Sequence, residues 1–229
     1  MPSTDLSTVL QLEQNALAQE TRIAKCPPYV AVVDIDVVAG TPSNLRIHHP
    51  VTIRPLANAK AGSFIVDCPT LHSKVLWVNL QIDKQDRYYG EDYLAFLNSE
   101  WQTGLQAIPD PYDVDHLYNS GRARIYGLQY VRLALVHYKV NRSHGAGPEK
   151  DVTKNEELRK VSDRKLMDEL TSMKYWGYLP PLRSDPRESE INAYANFVAA
   201  KLGLDPDEVR DSIGYLRKKA SNPWARKNS

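Results

Sequence analysis

Between Tyr29 and Asp83 the chain returns again and again to segments in which β-branched and other apolar residues stand at alternate positions. Alternation of that kind gives a strand one apolar face and one polar face, and Gly, Pro and Ser residues separate the segments as turns would. The first, YVAVVDIDVV (29–38), is predicted as a strand with Asp34 and Asp36 on its polar face. NLRIHHPVTIRPL, SFIVDC and SKVLWVNLQID continue the pattern. The first third of the chain is therefore expected to hold an antiparallel sheet.

Elsewhere the period is helical. Leu6, Val9, Leu10, Leu12, Ala16 and Ile23 predict a helix over residues 5 to 24, which Pro27 and Pro28 stop. From Asp86 onward Tyr89, Tyr93, Leu94, Phe96, Leu97, Trp101 and Leu105 predict a second, ended by IPDPYD. Pro109 and Pro111 then lead, extended, into DVDH, and QYVRLALV (129–136) reads as a further strand. A long helix is expected over 149–173, followed by the linker WGYLPPLRSDP. Two more follow: 188–202, stopped by Gly203, and one starting at DPDE, where Asp205 caps, Pro206 fills the first turn and Glu208 closes a capping box. The tail NPWARKNS is expected to fray. No internal repeat interrupts this order. The fold class is α+β, with an arm over 1–28, a sheet plus helix over 29–108, a small hairpin unit over 109–150 set against that sheet, and a helical region over 151–229.

With 229 residues, 42% hydrophobic and 25% charged, the chain can bury one substantial core, or one core with a small satellite. No apolar run approaches the roughly 20 residues that span a bilayer, and the first residues lack the pattern of a signal peptide. A cytoplasmic protein is expected, or one secreted without a cleavable signal that acts in a target cell's cytoplasm. Cys26 and Cys68 stand far apart and outside any CxxC pair, so they are expected as buried thiols. Lys and Arg number 8 against 14 Asp and Glu over residues 1–115, but 11 against 5 over 116–166, a local excess that suits a polyanion or a solvated helix face.

That basic region contains the residues with chemistry. Asp115 and His116 lie at the end of VDH; a polar stretch, LYNSGRAR, and the strand follow, and then Asn141, Arg142 and His144 in NRSHG. A strand, a loop, a second strand and a polar cluster in this spacing resemble the HNH (ββα-metal, His-Me finger) nuclease motif, in the variant of polymorphic-toxin nucleases and CRISPR effectors. The resemblance covers about 35 of the 229 residues and implies a hairpin followed by a helix. It implies Asp115 and Asn141 as oxygen ligands of one divalent ion, Mg²⁺ by its preference for hard donors, and His116 as general base. His144, three residues after Asn141, shares its face if a helix starts there; as a ligand it would make Mn²⁺, Ni²⁺ or Zn²⁺ competitive. Arg122, Arg124, Lys139 and Arg142 would contact phosphates, although Arg122 and Arg124 read equally well as solvent-facing. The Asn that braces the loop in this family has only Asn119 as a counterpart, placed early, and the glycine pairs and zinc-knuckle cysteines of some relatives are missing.

One geometric demand follows. Neighbouring strand residues point to opposite faces, so Asp115 and His116 can share a site only if the strand ends or kinks there. Taken singly, Asp115 and Asn141 read as turn and cap residues and His116 as a buried hydrogen-bonding imidazole. Tyr118, Tyr126 and Tyr130 read as core or rim, and His48–His49 has no assigned role. The expected function is a metal-dependent nuclease, a nonspecific DNase, serving as an antibacterial toxin effector whose producer holds a cognate immunity protein. The alternatives are a phage or restriction-type HNH endonuclease, and a non-catalytic nucleic-acid- or protein-binding module.

Overall fold

A computed structural model describes residues 4–24, 28–40, 51–84, 87–146, 163–181 and 186–220. It is an α+β fold in which every strand pairing is antiparallel. Strands β1 (Tyr29–Val32), β2 (Thr52–Pro55), β3 (Phe64–Cys68), β4 (Ser73–Asn79), β6 (Tyr130–His137) and β7 (Arg164–Leu166) run in the order β2-β3-β4-β6-β1-β7, and β5 (Tyr112–His116) pairs with β6. The helices are α1 (Leu6–Ala24), α2 (Ile35–Gly40), α3 (Tyr89–Trp101), α4 (Ser120–Ile125), α5 (Tyr138–Ala146), α6 (Glu169–Tyr175), α7 (Glu188–Leu202) and α8 (Pro206–Ala220).

β6 joins the two parts of the sheet. Tyr130 and Val131 lie between β4 and β1, and Leu133–His137 pair with β5. Its residues 131–136 are all buried on both faces, apolar except for Arg132. One core packs Ile65, Leu76, Val78, Val131 and Leu133 against Val9 and Leu17 of α1, Tyr93, Phe96 and Leu97 of α3, and Tyr194 and Val198 of α7. The expected boundary at residue 109 therefore cuts through a single sheet: the hairpin unit is part of it, and β7, from the C-terminal region, extends it beyond β1.

Two expectations are corrected. The strand expected over 29–38 ends at Val32, because the Asp34 carboxylate accepts the Asp36 N–H at 3.1 Å and starts α2. An aspartate in that position favours a helix start over a strand. Of the helix expected over 149–173, residues 163–168 form β7 and its flanks instead, and α6 begins at Glu169, where the Asp168 carboxylate accepts the Thr171 N–H at 2.8 Å. Residues 149–162 lie outside the described set, as do His48, His49 and Cys26. Cys68 is a buried free thiol. The helices expected at 5–24, from Asp86, at 188–202 and at DPDE are present; Gly203 ends α7 with φ 65°, and Asp205 accepts the Asp207 N–H at 2.7 Å.

Buried carboxylates fasten the loops. Asp92 on α3 accepts from Lys60 N (2.9 Å), Ala61 N (3.0 Å) and Ser63 Oγ (2.6 Å), tying the helix to the turn between β2 and β3. Asp83 accepts from Arg87 N and Tyr88 N and so sets the entry to α3. Glu13, buried on α1, has its pKa raised to about 7 by burial, which outweighs the charge of Arg132 and a hydrogen bond from Tyr93. A carboxyl whose folded pKa lies above its unfolded value near 4.5 contributes fully below pH 4.5 and loses that contribution as pH rises through about 7. Glu13→Gln, which fixes the uncharged form, is expected to match the wild type near pH 4.5 and to gain on it by up to about 3 kcal/mol above pH 7. Urea denaturation across that range checks this; parallel pH profiles for the two proteins would refute it.

Candidate functional site

β5, β6 and α5 form a strand–strand–helix unit. Its strands pair in unbroken register, Tyr112 with His137 through to His116 with Leu133. Asn119 braces the connection: its side chain caps α4 by accepting the Arg122 N–H at 3.0 Å. Gly127, at φ 71°, turns the chain toward β6. α5 starts at Tyr138, the residue after the last of β6, and the Tyr138 N–H donates to the Pro111 carbonyl at 2.9 Å, pinning the helix to the entry of β5.

The pair Asp115–His116 does not share a face. β5 stays paired through both residues, and the Leu117 N–H donates to the Arg132 carbonyl at 2.9 Å beyond them, so the expected break is not there. His116 is buried against Tyr89 of α3, with ring centroids 4.4 Å apart. Asp115 forms an ion pair with Lys174 of α6, with side-chain exposures of 2% for the lysine and 17% for the acid, and the oxygen that meets the lysine, Oδ2, is buried. Regular pairing puts the His116 ring on the opposite face of β5 from the acid beside which it was expected.

The histidine whose charge Asp115 influences is His144. It is completely buried on α5, and its Nε2 donates to the Tyr178 carbonyl at 3.1 Å. A carbonyl can only accept, so this bond fixes the Nε2–H tautomer and leaves a lone pair on Nδ1, which has no hydrogen-bond partner among the described residues. Burial pushes the His144 pKa down to about 4; the Lys174 charge acts in the same direction, while the Tyr178 carbonyl and the carboxylates of Asp115 and Asp168 oppose it. The ring is therefore neutral at neutral pH. Asn141, half-buried, lies one turn earlier on the same side of α5.

These donors suit a divalent ion in kind. A carboxylate, an amide oxygen and a neutral imidazole whose other nitrogen is held by a carbonyl form a common ligand set, and the unpartnered Nδ1 is the observation that favours it. Among the described residues no three His, Cys, Asp or Glu side chains form such a group, so Asn141 would have to complete it. The Lys174 ammonium already neutralises Asp115. Sequence reasoning missed Lys174. Its signal was a lysine inside SMKYW, where every neighbour is apolar or small and, in the structure, every one is buried.

The four cations divide into two pairs. Arg122 is buried with its guanidinium over the Tyr118 ring at 5.1 Å and so serves the loop around α4, whereas Arg124 is exposed and donates to the Asp83 carbonyl at 2.9 Å. Lys139 and Arg142 are exposed on α5, and both lie over the Tyr138 ring, at 6.0 and 5.0 Å; Arg142 Nε also stands 4.0 Å from Asp113. Tyr118 is core, and Tyr126 and Tyr130 are rim, as expected. No helix among the described residues is long and apolar enough to cross a membrane. Compared with models of known protein families, with curated proteins and with solved structures, the chain matches none.

The Asp115–Lys174 pair makes a clear energetic prediction. Asp115→Asn leaves a buried ammonium without its counter-charge and is expected to cost about 3 kcal/mol, whereas adding Lys174→Met should restore most of that loss. Chemical denaturation of the two single variants and the double variant measures the coupling. A cost under about 0.5 kcal/mol for Asp115→Asn would show that the pair is not formed in solution.

Proposed function

We propose that the chain is a metal-dependent nuclease of HNH type, acting at the face of the strand–strand–helix unit that carries Asp115, Asn141 and His144. The observation supporting this is the unpartnered Nδ1 lone pair of a buried, neutral His144 whose charge Asp115 influences. Asp115, Asn141 and His144 would hold the ion, and the nitrogen donor tilts the choice from Mg²⁺ toward Mn²⁺, Ni²⁺ or Zn²⁺. A divalent ion there supplies charge to the phosphoryl oxygens and acidity to an attacking water. Lys174, paired with Asp115, would add a positive charge beside the phosphate undergoing transfer. Lys139 and Arg142, exposed on α5, would hold neighbouring phosphates without reading sequence, which suits a nonspecific DNase. His116, on the other face, takes a packing role. The setting of a toxin effector with an immunity protein is proposed from the resemblance alone; lethality on expression, relieved by a neighbouring gene, would test it.

A second reading has one observation in its favour. Lys174 satisfies Asp115 and Tyr89 encloses His116, as in a non-catalytic nucleic-acid-binding module in which these residues are structural. Nicking of supercoiled plasmid with Mg²⁺, Mn²⁺, Ni²⁺ or Zn²⁺, and with EDTA as control, separates the two. For a nuclease, activity is expected with at least one metal, to fall at least about 100-fold in Asn141→Ala, and to change less than about 10-fold in a folded His116→Ala. Retention of DNA without nicking under any of these metals would overturn the nuclease reading in favour of the module.

A further inference from the structure

A groove of about 640 Å³ opens at the end of the strand–strand–helix unit, bounded by α1, the first residue of β5, the last of β6, the first turn of α5, the end of α6 and α7. Its walls are rich in rings. Tyr112 and His137 are cross-strand partners whose centroids lie 6.5 Å apart at 73°, which makes an aromatic corner, and Phe197 faces the groove from α7. All three are half-buried, so part of each ring can be reached from solvent, and Leu179 on the rim is 59% exposed. Lys139 from α5 and Lys201 from α7 are exposed at the groove, and Lys201 is steadied by donating to the Trp176 carbonyl at 3.1 Å. No Asp or Glu is among the described residues that line it.

Rings alone would suit an apolar ligand, but two ammonium groups with no opposing carboxylate select an anion that also carries flat apolar faces. A nucleotide unit has both parts. In a duplex the base faces are stacked on one another and cannot enter such a corner, whereas an unpaired strand offers a base to the rings and phosphates to the lysines. We infer that this groove holds a segment of single-stranded nucleic acid, one base against the Tyr112–His137 corner and flanking phosphates on Lys139 and Lys201. Val140 and Lys139 line the groove while Asn141 and His144 follow on the same helix, so the groove and the candidate site share α5. The inference rests on the reading of the protein as one that acts on nucleic acid, and it adds a subsite for an unpaired strand to that reading.

Fluorescence anisotropy with a labelled oligothymidine of about 12 nucleotides, in EDTA, tests it beside a duplex of equal length and a polyglutamate peptide. The single strand is expected to bind at least about 10-fold more tightly than either competitor. Lys139→Glu with Lys201→Glu should weaken it at least about 10-fold and reduce the salt dependence by about 1.4 in the log–log slope, roughly 0.7 per phosphate contact. Tyr112→Ala should weaken it about 5- to 100-fold in protein that circular dichroism shows to be folded at the assay temperature. Equal binding of duplex or polyglutamate, or wild-type affinity in the double lysine variant, would overturn the inference. EDTA keeps the two proposals apart. Groove-dependent binding without nicking in any metal defeats the nuclease alone, and metal-dependent nicking with unchanged affinity in the groove variants defeats the groove alone.

Discussion

β6 is the strand on which the remaining architecture depends. Its first residues exchange backbone hydrogen bonds with β4 and β1, and its last five residues with β5. Because side chains alternate with a strict period of two, this shared register decides at once which residues of β5 enter the core and which meet α5 and α6. His116 and Asp115 are separated by that rule alone. The hairpin consequently inherits the rigidity of a seven-stranded sheet, and the donors it presents are located by backbone pairing instead of by a mobile loop.

The α+β class and most helices were legible because their signals are local. α7 occupies the span expected of it, between a run of helix formers and Gly203, and α8 opens at Asp205–Pro206 as a capped helix should. The strand expected over 29–38 stops short because Asp34 is not an outward-facing strand residue; its side chain competes for a backbone N–H two positions on, and the apolar Ile35, Val37 and Val38 suit a helix as well as a strand. The membership of β6 and β7 in the first sheet depends on pairings between residues about a hundred positions apart, which no window of sequence encodes.

The site was half legible. Spacing brought out the strand–strand–helix order, and Asn119 does brace the connection, as a cap for α4. What spacing could not reveal is direction. Arg122 looks like a surface cation in GRAR, yet it folds back over Tyr118, and Arg124 is held by a carbonyl 41 positions earlier in the chain. Lys174 is more than 50 positions from Asp115, so a buried counter-charge for that acid could be found only in three dimensions.

Helix α5 follows β6 with no intervening residue, and its azimuth is therefore inherited from the sheet. Each residue added at that junction would swing the helix by about 100° about its axis, carrying the amide of Asn141 and the imidazole of His144 off the acid's side together. The seam between His137 and Tyr138 is thus an angular reference for the whole polar cluster, one that tolerates exchange of side chains far better than any change in the number of backbone atoms.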